Sequence, residues 1–311
     1  MSDLIVSVPD ESLREALGPQ PPGVQVIIWD FDEPAPRSSI DLVVPPYLGP
    51  ADRFRRLDGV RTSLVQSQSI GYDGLEEFLP PGTTFANAAS VHETSTAELA
   101  MALILASQRG IPDFVRQAET GHQRRSWYPS LADRTVLLVG YGGVGRAIDD
   151  RLAPFEANVE RVARRGRRDV RGVVHALTSL SSLLTRSDIV VVAVPLDEST
   201  TGMVDDAFLA SMPDASLFVN VSRGPVADTA ALVEHAGSGR LRLALDVTDP
   251  EPLPDGHPLF SMTNVVISPH VGGATNAMLP RMARLVNDQI GRLRRGEPVR
   301  NVVIGGAGDQ T

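Results

Sequence analysis

The chain has 311 residues, a formal net charge of −9, 42% hydrophobic and 22% charged residues, a length that suits two domains of ordinary size. The acidic balance argues against a general nucleic-acid binder, which needs a basic footprint. The absence of cysteine excludes disulfides, thiolate metal sites and cysteine nucleophiles; all 29 basic residues are arginine, so a Schiff-base lysine and a P-loop are excluded as well.

From the N-terminus, residues 1–9 contain no basic residue and no long apolar core, unlike a signal peptide. No apolar run approaches the roughly 20 residues needed to cross a bilayer, and a cytoplasmic protein is expected. Residues 4–8, 24–29, 41–44, 61–66 and 84–88 read as short strands, with helices over 11–17 and 51–57. A long helical signal runs from about 94 to 119, with capping hydroxyls at Thr94, Ser95 and Thr96 and an apolar face of Leu99, Ala102, Leu103, Leu105 and Ala106; Pro112 is expected to kink or split it. Strands follow at 134–140, 159–163, 188–194, 216–221, 241–247 and 264–268. Their near-continuous β-branched composition suits a parallel sheet covered on both faces. An amphipathic helix over 278–295 is expected to return to the first domain.

Gly140, Gly142 and Gly145 form a G-x-G-x-x-G element between a buried strand and a helix, the context in which that pattern binds a dinucleotide. Gly140 permits the tight turn, Gly142 lets the backbone approach a pyrophosphate, and Gly145 allows close packing of helix on strand. The helix N-terminus at Gly143 and Val144 then offers N–H groups to the phosphates. An NAD enzyme places an acid at the end of the next strand, for the ribose 2′-hydroxyl. This chain carries Arg164 and Arg165 there, and a guanidinium fits a 2′-phosphate. NADP is therefore expected over NAD, with a solvated basic loop as the bland alternative.

Three polar residues lie just past the ends of the late strands, where an open α/β sheet presents its ligands. They are Arg223, Glu251 and His270. Reduction of a 2-oxo acid needs such a set: an arginine fork for the carboxylate and carbonyl, a histidine for the proton on oxygen, and an acid beside the histidine that favours its protonated form. Asp249 rivals Glu251 as the acid.

These stretches, taken in order with Pro195-Leu196, Thr200 and His257-Pro258-Leu259, resemble the D-isomer-specific 2-hydroxyacid dehydrogenase family over essentially the whole chain. The resemblance implies two α/β domains: a Rossmann doubly wound parallel sheet over 98–275, and a smaller flavodoxin-like substrate domain built from 1–97 and 276–311. It implies catalytic roles for Arg223, Glu251 and His270, and a place against the cofactor for Pro195, Thr200, Val221, Ser222, Asp246 and Gly272. Asp246 would hold the nicotinamide carboxamide. The loop Ser69, Ile70 and Gly71 would bind the substrate carboxylate through backbone N–H groups. A homodimer through the nucleotide domain is implied too. The expected activity is NADPH-dependent reduction of a glyoxylate- or hydroxypyruvate-type 2-oxo acid, the alternative being a catalytically weak dinucleotide-sensing corepressor. A short-chain dehydrogenase would need a Tyr-x-x-x-Lys pair, which a lysine-free chain lacks. Glu156 departs from the family, which carries glycine there. No metal site is expected, because His122, His175 and His235 have no partners at ligand spacing.

Overall fold

Runs of β-branched residues with no polar alternation need a second layer on each face, and the computed structural model of the chain, which describes residues 3–305, builds two such sheets. In chain order the first elements are β1 (Leu4–Val8), α1 (Glu11–Leu17), β2 (Val24–Ile28), β3 (Leu42–Val43), β4 (Leu64–Gln66) and β5 (Phe85–Ala86). Next come α2 (Glu93–Arg109), α3 (Ile111–Glu119), β6 (Thr135–Val139), α4 (Gly143–Leu152), β7 (Asn158–Ala163), β8 (Arg167–Asp169), β9 (Gly172–Ala176), α5 (Leu180–Leu184) and β10 (Ile189–Val192). The chain finishes with α6 (Asp206–Ala210), β11 (Leu217–Asn220), α7 (Thr229–Gly237), β12 (Arg242–Leu245), β13 (Val265–Ile267), α8 (Met278–Arg295) and β14 (Val302–Ile304). The chain divides into two units, Met1–His92 with Thr275–Thr311, and Glu93–Ala274. Residues 306–311 of the expected substrate domain lie outside the described residues. Among those described, no helix is long and apolar enough to cross a membrane.

The first unit carries a six-stranded sheet in the order β14-β5-β4-β3-β1-β2. Its parallel part has the flavodoxin-like order; β14 adds an antiparallel edge. Val6, Val8, Leu42 and Leu64 turn to one face and pack against Leu13 and Leu17 of α1 and Met282, Leu285, Val286 and Ile290 of α8. Val43, Val65 and Phe85 turn to the other face, with Trp29, Phe31 and Leu57. The segment Ala51–Leu57, read as a helix, is a 3-10 helix. Buried Gln289 on α8 donates to Gln66 Oε1 at 2.8 Å and to the Arg300 carbonyl at 2.9 Å, and accepts the Arg300 N–H at 3.0 Å.

The second unit carries eight strands in the order β13-β12-β11-β10-β6-β7-β9-β8. This is the doubly wound Rossmann order, with β6 at the point where succession reverses between β7 and β10. The period of two shows in the packing. Val136, Leu138, Ile189, Val191, Leu217 and Val219 face α2 and α4, while Leu137, Val139, Val190, Val192 and Phe218 face the α5–α7 layer. The long helical signal is divided at Gly110, whose φ of +64 is left-handed. The split falls just before Pro112, as expected of a proline that cannot continue a helix; Pro112 itself sits in the first turn of α3, where its missing N–H costs nothing. Glu156 also has a left-handed φ, +58, the conformation for which glycine is the unstrained choice. The β8–β9 hairpin was not anticipated. Part of the basic stretch after β7, read as open loop, is paired there as strand, Arg167 opposite Val174.

Gln289→Leu removes three hydrogen bonds and strands the buried amide of Gln66 and the backbone of Arg300. It is expected to lower stability by roughly 1–3 kcal/mol, read as a lower urea midpoint at unchanged slope.

Candidate active site

The glycine turn follows directly from the end of β6. Gly140 has a φ of +99, and a Cβ there would run into the Ala193 carbonyl of the strand segment alongside. A Cβ on Gly145 would collide with the Gly140 carbonyl, so α4 packs directly on the turn. A Cβ on Gly142 would meet nothing within 4 Å: the backbone presents an open face there. Gly142, at the N-cap of α4, has no side chain with which to take a first-turn N–H group. An open glycine face on an uncapped helix N-terminus fits a pyrophosphate.

A buried carboxylate ties this turn to its neighbours. Asp149 of α4 is 1% exposed. It accepts the Tyr141 hydroxyl at 2.6 Å and two bonds from Arg161 of β7, at 2.7 and 2.9 Å. Burial and the Asp149 hydrogen bond push the Tyr141 phenol up to about 12. Arg167 of β8 donates to the Tyr141 carbonyl at 2.9 Å, its guanidinium over the ring. The hairpin is therefore fastened to the phosphate turn. Between β7 and the hairpin, Arg164 and Arg165 are exposed; Arg164 Nη2 lies 2.6 Å from Asp197 Oδ2.

Arg223, Glu251 and His270 follow β11, β12 and β13, three neighbouring parallel strands. Their loops emerge side by side at one sheet edge. The Arg223 turn packs closely on the Glu251 loop, since a Cβ on Gly224 would collide with the Thr248 carbonyl. His270 Nδ1 lies 2.6 Å from Glu251 Oε1; it is Glu251, not Asp249, that reaches the ring. A carboxylate only accepts, so Nδ1 carries the proton of this bond and Nε2 takes no part in it. The Arg223 guanidinium donates to the Ser222 carbonyl at 2.7 Å.

His270 sits at φ +51, a region that L-residues occupy only when surroundings over-determine it. Asp246, 3% exposed, supplies the determination. Its carboxylate accepts the Ser268 hydroxyl at 2.7 Å and the N–H groups of Val271 at 2.9 Å and Gly272 at 3.0 Å. Its carbonyl accepts the His270 N–H at 2.8 Å.

Other expected cofactor residues also shape their own loops. Thr200 Oγ1 donates to the Pro195 carbonyl at 2.7 Å and accepts the Asp197 N–H at 2.8 Å. Ser222, next to buried Val221, donates its hydroxyl to Asn220 Oδ1 at 2.6 Å. In the first unit, the segment Ser69-Ile70-Gly71 follows β4. The Ser69 N–H is taken by Ser67 Oγ at 3.0 Å, while the N–H groups of Ile70 and Gly71 have no partner among the described residues. His175 and His235 find Glu160 and Asp206 at 3.1 and 3.0 Å, carboxylates remote in sequence. Among the described residues no cluster of three or more acids and histidines could hold a metal. Sequence reading missed Tyr141, Asp149, Arg161, Ser268 and Asp197; only the place of Tyr141 inside the glycine motif hinted at any of them.

The D-isomer specific 2-hydroxyacid dehydrogenase NAD-binding domain model matches residues 101–272. The human glyoxylate reductase/hydroxypyruvate reductase is 33% identical over 293 residues, covering 87% of this chain and 88% of that protein. The glyoxylate reductase of Thermofilum pendens is 34% identical over 245 residues, covering 75% and 72%. Among solved structures, an NADPH-dependent glyoxylate/hydroxypyruvate reductase from Sinorhizobium meliloti, in complex with NADP and sulfate, superposes with a TM-score of 0.82 at 27% identity. It covers 98% of this chain and 99% of its own. A D-isomer specific 2-hydroxyacid dehydrogenase from Xanthobacter autotrophicus, in complex with NADPH and MES, gives 0.80 at 29% identity, with coverage of 98% and 99%.

Asp246→Asn replaces one acceptor oxygen with an amide donor, so at least one of the Ser268, Val271 and Gly272 donors loses its partner. The expected cost is roughly 1–3 kcal/mol, measured by urea unfolding, with faster amide exchange at Val271 and Gly272.

Proposed function

Because the chain belongs to the D-isomer specific 2-hydroxyacid dehydrogenase family, we propose that it is a glyoxylate/hydroxypyruvate-type 2-oxoacid reductase using NADPH, with Arg223, Glu251 and His270 as its catalytic set. The observation that carries the reading is the 2.6 Å His270–Glu251 pair on a sheet whose glycine turn fits a dinucleotide. NADP-linked reduction accords with the similar reductases named above, one of them solved with NADP, and with the similar dehydrogenase solved with NADPH. It accords equally with an arginine, rather than an acid, after β7.

Gly140, Gly142, Gly143, Val144 and Gly145 would hold the pyrophosphate. Arg164 and Arg165 would hold the 2′-phosphate, and Pro195, Thr200, Val221, Ser222, Asp246 and Gly272 the rest of the cofactor. NADPH, when bound, supplies the hydride accepted at C2 of the substrate. Glu251 holds the Nδ1–H of His270 and so turns Nε2 toward the substrate oxygen. His270 gives that oxygen its proton. Arg223 binds the carboxylate and draws electron density from the carbonyl. The first unit would act as the substrate-binding domain, the N–H groups of Ile70 and Gly71 serving the carboxylate. Ser69 would contribute its place in the loop.

We also propose a homodimer through the nucleotide unit. The helix α3 has no buried residue. Ile111, Phe114 and Val115 are exposed on it, and Trp127 nearby in sequence is wholly exposed, more apolar surface than a lone helix leaves to water without reason. Light scattering should give twice the 33.3 kDa chain mass, and Phe114→Glu should shift it toward the monomer; a monomeric wild type rejects the dimer.

His270→Ala should lower kcat for NADPH-linked reduction of glyoxylate or hydroxypyruvate by roughly 10²–10⁴-fold and leave NADPH binding, followed by its fluorescence, unchanged. Arg223→Ala should lower kcat/KM comparably. Near-native turnover in either variant would overturn the assigned roles, and a wild type that binds NADPH but reduces no 2-oxo acid would favour the sensor.

A further inference from the structure

Strand order puts β6 between β7 and β10. Val139 at the end of β6 is flanked by Val162 of β7 and Val192 of β10. Arg164 follows the end of β7, and Asp197 lies in the loop after β10. Their 2.6 Å ion pair therefore spans the C-terminal end of β6, where the glycine turn begins. The carboxylate is not loose. Oδ1 accepts the Ser199 N–H at 2.8 Å and the Ser199 hydroxyl at 2.5 Å, leaving Oδ2 for Arg164. The Asp197 N–H is held by Thr200 Oγ1. The Ser199 hydrogen bonds, with Arg164 nearby, hold the carboxyl below the usual range, so it is an anion at neutral pH.

We propose that Asp197 is a specificity-determining residue that competes with the adenosine 2′-phosphate of NADP for the Arg164 guanidinium. This rests on the reading of Arg164 as the 2′-phosphate ligand. A phosphate dianion outbids a carboxylate for a guanidinium, yet it must displace or share with an anion already fixed there, and it meets that anion's charge at close range. NADH brings only a hydroxyl to the same place and contends with neither. Asp197 thus weakens NADPH selectively and narrows the preference between the two cofactors. With the Arg164 side chain 71% exposed, solvent screens the competition, and the effect is a factor of about two to five in affinity.

The test is titration of the full-length protein with NADPH, NADH, 2′,5′-ADP and 5′-AMP by calorimetry at low salt. Asp197→Asn is expected to tighten NADPH and 2′,5′-ADP about two- to fivefold, with NADH and 5′-AMP unchanged and the gain shrinking as salt rises. Ser199→Ala, which unpins Oδ1, should move the same ligands the same way by less. In an Arg164→Gln background the Asp197→Asn gain should shrink to what direct charge repulsion leaves, because the competition for the guanidinium is gone. An unchanged or weaker NADPH affinity in Asp197→Asn overturns the proposal. So does a gain that persists undiminished without Arg164, which would mean repulsion alone, and so does weaker NADH binding, which would make Asp197 a ribose ligand. The premise fails separately: if Arg164→Gln by itself leaves NADPH and 2′,5′-ADP affinity untouched, Arg164 does not read the 2′-phosphate.

Discussion

One buried carboxylate holds the reactive corner of this molecule together. Asp246, at the end of β12, gathers the Ser268 hydroxyl and the N–H groups of Val271 and Gly272 around its two oxygens. Hydrogen bonds to an ionised acceptor are about twice as strong as neutral ones, and three of them close the chain into a turn after β13. His270 is carried in that turn at a left-handed φ, a conformation its own backbone disfavours. From there the ring reaches Glu251, 2.6 Å away. A role for Asp246 toward the cofactor and its role in building the turn are compatible in principle, because a carboxylate has about four acceptor positions and the turn uses three.

The parallel sheet explains why residues so far apart in sequence converge. Every strand of β10 to β13 and β6 to β7 runs the same way, so each following loop leaves from the same edge. The glycine turn after β6, an arginine after β7 and the Arg–Glu–His set after β11 to β13 share that edge as a consequence of topology. Crossovers that bury both faces leave the edge as the place where polar chemistry is tolerated.

Much of this was readable from the residues. Strand runs such as Val136–Val139 and Ile189–Val192 are apolar without alternation, and such runs fold as two-sided strands. The glycine motif and the Arg–Glu–His set could be placed because each follows such a run. The unread parts depend on partners distant in the chain. Arg167 to Asp169 has no β-branched residue, and the segment is a strand because Gly172–Ala176 folds back on it. β14 is short and pairs with a strand far back in the chain, Val302 opposite Ala86. The division of the long helix expected at Pro112 is there, and the residue that takes the left-handed turn just before it is Gly110. Asp149 and Asp197 look like ordinary acids in sequence, and Asp246 stands out only through the family resemblance; which donors the three gather is a property of the fold.

The Asp149 network shows what such gathering achieves. Taking Asp149 and Arg161 out of water is costly, and a buried pair repays that only when its remaining hydrogen-bonding capacity is filled. Here Arg161 binds in a fork, Tyr141 adds its hydroxyl, and the guanidinium of Arg167 covers the ring from the hairpin side. A network satisfied to this degree adds less to stability than to definition. The glycine motif, flexible by composition, is locked through Tyr141 to α4, and α4 through Asp149 to β7, the strand that delivers Arg164. The distance between the pyrophosphate turn and the arginine after β7 is therefore set by rigid elements rather than by loop statistics. That is the condition under which a single guanidinium, with a carboxylate opposing it as proposed above, would distinguish two dinucleotides that differ by one phosphate.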